Sequence, residues 1–139
     1  MRIMALDIGD KKIGVAMSDP EGVLATPLVT IIRLNDSEAI DSICKLVSKY
    51  KVGHVVVGLP YSLDGSMGTQ AEKVCAFARK LSQSLQVDIR MQDERLSSAA
   101  ADRLLSEAGV KKGHKKSVRD AAAAAFILQG YLDSLRSGD

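Results

Sequence analysis

Three acidic positions carry most of the chemistry this sequence offers: Asp7, the adjacent pair Asp93 and Glu94, and Asp120. Asp7 interrupts an otherwise apolar run over residues 3–8. A carboxylate buried there without a partner is costly, so it must meet a cation, hydrogen-bond donors or solvent at its strand's end. If the acids converge, their mutual repulsion in a low dielectric calls for a compensating cation. Carboxylate and water oxygens suit Mg2+ or Mn2+. Two such ions, about 3.5–4 Å apart, would activate a water and stabilise the leaving oxygen of a phosphodiester.

Each acid also has a purely structural account. Asp7 could pair with a nearby lysine or accept N–H groups of its own turn. Asp93 or Glu94 could be an acid favoured by the dipole at a helix entrance. Asp120 stands three residues after Ser117, the spacing of a capping box, although Glu or Gln is the usual partner. Spacing alone leaves these alternatives open. The bases are unevenly spread: Lys111, Lys112, Lys115, Lys116 and Arg119 fall together, with no acid between Glu107 and Asp120. Such a run is either a solvated loop or a phosphate-contacting one. His54 and His114 have no nucleophile or ligand partner at a telling spacing, and neither is assigned a catalytic role.

The elements that must position these groups follow from periodicity. Residues 3–8 and 13–17 read as two strands joined by a tight polar turn at 9–12. Residues 23–34 read as a third strand, with Pro27 implying an edge or a bulge. Asp36 or Ser37 is the expected cap of a helix over 38–50, whose apolar residues recur on one face. Val55, Val56 and Val57 form the continuous run of a strand buried on both faces. A glycine-containing loop over 58–68 leads to a helix at 69–85, and a strand at 87–92 follows. A helix from Ser97 or Ser98 to about 108, a basic loop at 111–116 and a helix from 117 to 135 complete the chain. The five alanines at 121–125 permit close approach to a sheet. This order predicts an α/β fold: a mixed five-stranded sheet, its first three strands antiparallel and the last two parallel to the first, with helices on both faces. Sites in open α/β sheets lie beyond the carboxyl ends of the parallel strands. Asp7, the 58–68 loop and the Asp93–Glu94 pair all reach that edge.

Composition excludes several classes. The 139 residues suit one domain over 1–139, and 46% hydrophobic with 26% charged residues is ordinary for a globular protein. No apolar run approaches the roughly 18 residues of a membrane span, and no signal-peptide core is visible. Cys44 and Cys75 lack metal-ligand spacing and read as reduced packing residues, so a cytoplasmic location is expected. With three Tyr, two Phe and no Trp, stacking platforms for single strands are few.

Four separated segments carry a resemblance that spans residues 3–133. They are LDIGDKKIGVAMSD at 6–19, VVGLPYSLDGSMGTQA at 56–71, DERLSS at 93–98 and DAAAAAFILQGYLD at 120–133. In this order the sequence closely resembles the YqgF/RuvX family of nucleases, related to the RuvC resolvases within the ribonuclease H-like superfamily. The resemblance implies a ribonuclease H-like fold and a metal-dependent endonuclease. Asp7, Glu94 and Asp120 would be its catalytic acids and the ligands of two Mg2+ or Mn2+ ions. Ser97 and Ser98 stand where the family commonly has two threonines, and Lys12 where it often has Arg, which loses the fork geometry on phosphate. Lys11, Lys12, Arg95 and the basic residues Lys111, Lys112, Lys115, Lys116 and Arg119 would hold the nucleic-acid backbone through salt-sensitive contacts. The implied substrates are the 5′ end of precursor 16S ribosomal RNA, the first choice, and Holliday junctions, the alternative. A monomer or weak homodimer is expected, since no long apolar stripe announces an interface. Two other readings compete. One is a binding module without catalysis. The other is a phosphate-binding domain of the actin and sugar-kinase type, which Asp7-Ile8-Gly9 and Lys11 also resemble.

Overall fold

The structure, a computed structural model, describes residues 1–60, 68–93 and 112–136; for 93, 112–120 and 136 it describes the backbone alone. Strands β1 (Arg2–Ile8) and β2 (Lys12–Ser18) form a hairpin. In its turn the Gly9 N–H donates to the Lys12 carbonyl at 2.9 Å. A Cβ on Gly9 would lie 2.8 Å from that same oxygen, so this close approach requires glycine. β3 (Ala25–Ile32), helix α1 (Asp36–Tyr50), β4 (Val52–Leu59), α2 (Thr69–Ser82), β5 (Asp88–Asp93) and α3 (Lys112–Arg136) follow. The sheet order is β3-β2-β1-β4-β5, with β1–β2 and β2–β3 antiparallel and β1–β4 and β4–β5 parallel. This is the mixed sheet that the element order predicts.

Strand alternation divides the interior into two layers. On one face Met4, Leu6, Ile13, Val15, Val55 and Val57 pack with Ile43 and Val47 of α1 and Val74, Phe77 and Leu81 of α2. On the other, Ile3, Ala5, Ala16 and Val56 pack with Ala124, Ile127, Leu128, Tyr131 and Leu132 of α3. Val55, Val56 and Val57 are wholly buried, as a strand covered on both faces requires. Ala121 to Ala124 are buried as well, and their small side chains let α3 lie close against the sheet.

Three boundaries differ from expectation. Asn35, rather than Asp36 or Ser37, caps α1: its side chain accepts the Glu38 N–H at 2.8 Å. That leaves the Asp36 carboxylate for Arg33 and Lys80, each at 2.9 Å. α2 ends at Ser82, short of the expected 85. The edge strand β3 carries Pro27, as predicted, and its register shifts there: Val15 pairs with Val29 but Ala16 with Pro27, so Leu28 is the extra residue of a bulge. Finally, α3 begins at Lys112, not Ser117. The stretch from Lys112 to Lys116 is therefore helical rather than a loop, since lysine is a good helix former and Gly113 falls in the first turn. Ser117 is then inside the helix, where it cannot cap, and the capping-box account of Asp120 is removed. The expected loop residues 61–67, the helix at 97–108 and Lys111 lie outside the described residues.

Candidate active site

Asp7 is the penultimate residue of β1 and sits in the row of Ile3 and Ala5, the face covered by α3. Across the hairpin it pairs with Gly14. On the other side β1 is in register with β4 through Leu6 and Val57, which makes Gly58 the next neighbour. A half-buried carboxylate thus stands between two residues without side chains, at the carboxyl end of the parallel strands.

The position of α3 follows from its contacts at the opposite end of the sheet. The Tyr131 hydroxyl lies 3.1 Å from His54 Nε2, near the start of β4, and accepts from Arg90 Nη1 of β5. Gln129 ties the same part of the helix to the start of β3, accepting the Ala25 N–H at 2.9 Å and donating to the Val23 carbonyl at 3.0 Å. From Tyr131 back to Asp120 the helix rises about 16 Å. From His54 forward to Gly58 the strand advances about 13 Å. The Asp120 backbone belongs to the helix that covers the Asp7 face of the sheet, eleven residues before Tyr131. Among the described residues no three His, Cys, Asp or Glu side chains converge on a metal position. The side chain of Asp120 and the whole of Glu94 and Arg95 lie outside that set. The donor type at Asp7, an all-oxygen carboxylate flanked by glycines, fits a hard divalent cation.

The β1–β2 turn beside Asp7 bears Lys11, exposed, and Lys12, half-buried. It is braced by Arg33, a residue not among the sequence-predicted candidates. The Arg33 backbone N–H donates to the Lys11 carbonyl at 2.8 Å, and its Nη1 donates to the Gly9 carbonyl at 2.8 Å. The guanidinium also pairs with Asp36 and lies over the Phe77 ring, 4.6 Å from its centre. Lys80 and Arg33 together hold the Asp36 carboxyl below its ordinary range. The only clue in the sequence was a cation three residues before the acid at the entrance to α1. Lys112, Lys115, Lys116 and Arg119 occupy the first turns of α3.

His54 is a satisfied core histidine, consistent with no catalytic role. It is buried, hydrogen-bonded to Tyr131 and edge-on to its ring. Burial first, and the Arg90 charge second, push its pKa below the ordinary value, against a smaller opposing pull from Asp88.

A central strand ending in a carboxylate, an antiparallel three-strand start and two parallel returns define a ribonuclease H-like fold. Solved structures agree: the RuvC protein of T. thermophilus in complex with a Holliday junction substrate aligns with a TM-score of 0.59, 11% identity, and coverage of 98% of this chain and 96% of that one. The fowlpox virus resolvase with Holliday junction DNA aligns with a TM-score of 0.58 and 14% identity, covering 97% and 99%. The model of the family RuvX, described as Holliday junction resolvase, matches residues 1–134. This chain belongs to the RuvX family, and is a nuclease, an enzyme that hydrolyses phosphodiester bonds. Its relatives include a protein of Desulforamulus reducens, 46% identical over 134 residues, covering 96% of this chain and 98% of the relative. Another, from Clostridium botulinum (strain Hall), is 44% identical over 135 residues, covering 97% and 98%. Both bear the name "Putative pre-16S rRNA nuclease". No helix among the described residues is long and apolar enough to cross a membrane.

Proposed function

We propose that the chain, as one domain over residues 1–139, is a metal-dependent endonuclease that matures the 5′ end of precursor 16S ribosomal RNA in the cytoplasm. The observation that carries this reading is the half-buried Asp7 at the carboxyl end of β1, on the face covered by α3. Asp7, Glu94 and Asp120 would hold Mg2+ or Mn2+. Glu94 is preferred to Asp93 because the family resemblance of the DERLSS segment gives it the place of the second acid. When bound, such ions supply an activated water and charge neutralisation at the leaving oxygen. The chain's own residues bind and orient. Lys11, Lys12, Arg95, Lys111, Lys112, Lys115, Lys116 and Arg119 would hold the backbone phosphates on either side of the scissile bond.

The names of the relatives support the ribosomal substrate. The family description and the junction-bound neighbours favour a second reading, resolution of branched DNA. A resolvase cuts paired strands and needs two symmetric sites, hence a dimer; the ribosomal reading needs only a monomer or weak homodimer. Side-by-side cleavage of a precursor 16S RNA and a four-way DNA junction, with Mg2+ or Mn2+, separates the two. Metal-dependent cleavage of the RNA alone is expected. Cleavage of the junction alone, by a stable dimer, overturns the ribosomal reading in favour of the other.

A further inference from the structure

On the far side of the β1–β2 turn from Asp7, a cleft of about 370 Å³ opens between that turn and the helices α1 and α2. Asp10, Arg33, Asp36, Lys73, Phe77 and Lys80 line it. Two of its three cations have structural work. Arg33 braces the turn and, with Lys80, closes on Asp36 at 2.9 Å. Lys73, in the first turns of α2, differs. Its ion pair with Asp10 spans 3.8 Å, and the two side chains are 57% and 62% exposed. An exposed pair at that distance holds its members weakly.

Asp10 adjoins Lys11 in the turn, and Lys12 lies in the same strand row as Gly14, the partner of Asp7. A polyanion that crosses Asp7 and leaves over Lys11 passes the neighbouring Asp10, whose ion-pair partner is Lys73 at the cleft. A phosphate there would replace the Asp10 carboxylate as the partner of the ammonium group.

We propose that Lys73 is a phosphate-contacting residue that extends the nucleic-acid path from Asp7 over the β1–β2 turn into this cleft, with Asp10 as an internal competitor for the same ammonium. This rests on the nuclease reading above and adds a second stretch of the substrate's backbone to it. Each phosphate neutralised by a lysine releases condensed counterions, so each such contact contributes to the salt dependence of binding.

The test uses the full chain with EDTA, a fluorescein-labelled RNA hairpin and a labelled four-way DNA junction, and reads Kd by anisotropy over a KCl series. Lys73→Gln is expected to weaken binding at low salt and to lower the log Kd against log salt slope by about 0.7–0.9, the contribution of one phosphate contact. Lys73→Arg should retain the slope, and Asp10→Asn should tighten binding at low salt. Lys45→Gln, which removes an exposed lysine paired with Asp41 on α1, should change neither quantity. An unchanged slope in Lys73→Gln, alongside a lowered slope in Lys12→Gln, overturns the proposal and leaves the nuclease reading standing. Wild-type chain that neither binds nor cleaves either probe defeats both together.

Discussion

The hydroxyl of Tyr131, on α3, stands 3.1 Å from Nε2 of His54, on β4, and this contact helps set how far α3 extends along the sheet. Arg90 donates to the same hydroxyl, and a neutral His54 with Nε2 unprotonated accepts the tyrosine proton. A protonated ring would leave that proton without an acceptor and bring a buried cation beside Arg90.

Stability should therefore depend on pH through His54. Its folded pKa is depressed, so as pH falls below about 6.5 the unfolded chain takes up a proton that the native chain refuses. The contribution is complete above that value, and it declines by up to about 1.4 kcal/mol per pH unit until the folded pKa is reached. Urea unfolding of wild type and His54→Gln at several pH values checks this. The variant should lose the decline between neutrality and mild acid, while any steeper loss at lower pH, where Asp36 and other carboxylates protonate, remains in both.

Arg33 joins four pieces of structure, so its truncation should reach beyond one ion pair. Arg33→Ala removes the bond to the Gly9 carbonyl, half of the Asp36 clamp and the cation over Phe77. A loss of about 2–3 kcal/mol is expected in equilibrium unfolding. Arg33→Lys should recover little of it, because an ammonium cannot serve Gly9 and Asp36 as a planar fork does. Equal stability of Arg33→Lys and wild type would reduce the bracing to simple charge.

Ala124 is wholly buried where α3 meets the sheet. Ala124→Leu should cost about 1–3 kcal/mol through overpacking. It should also lower cleavage by more than its stability loss explains at a temperature where the variant is folded, because it would displace α3, which carries Asp120 of the proposed site, from the sheet. A variant destabilised as expected yet fully active would show that the helix-to-strand distance does not matter for the reaction.

Asp7→Asn should fold normally by circular dichroism and lose cleavage by about two orders of magnitude or more, as the metal-holding role proposed for Asp7 requires. EDTA should abolish wild-type cleavage, and added Mg2+ or Mn2+ should restore it. Wild-type rates in Asp7→Asn would disprove the role given to this carboxylate.

The layered fold was legible because its signals were local. Continuous valines at 55–57 announced a doubly covered strand, and Pro27 announced an edge. The alanine run at 121–125 announced a close helix–sheet contact. What escaped was decided by competition among neighbours. Asn35, Asp36 and Ser37 can all cap a helix, and only the demand of Arg33 and Lys80 for Asp36 left Asn35 to do it. The start of α3 was misread because lysines and a glycine resemble a loop in composition, although lysine is compatible with a helix. Asp7 itself was legible as an acid out of place. Its row on the sheet required the register to be known.

The extra residue at Leu28 makes β3 change phase partway along. Before it, odd-numbered Ala25 and Pro27 share the α3 side with Ser18 and Ala16; after it, odd-numbered Ile31 is on the side of α1 and α2 with Ile13. Without that shift one strand could not offer Ala25 to the α3 layer and, a few residues on, Ile31 to the layer of α1 and α2. Losing one residue at position 28 would therefore force the strand to abandon one of its two layers.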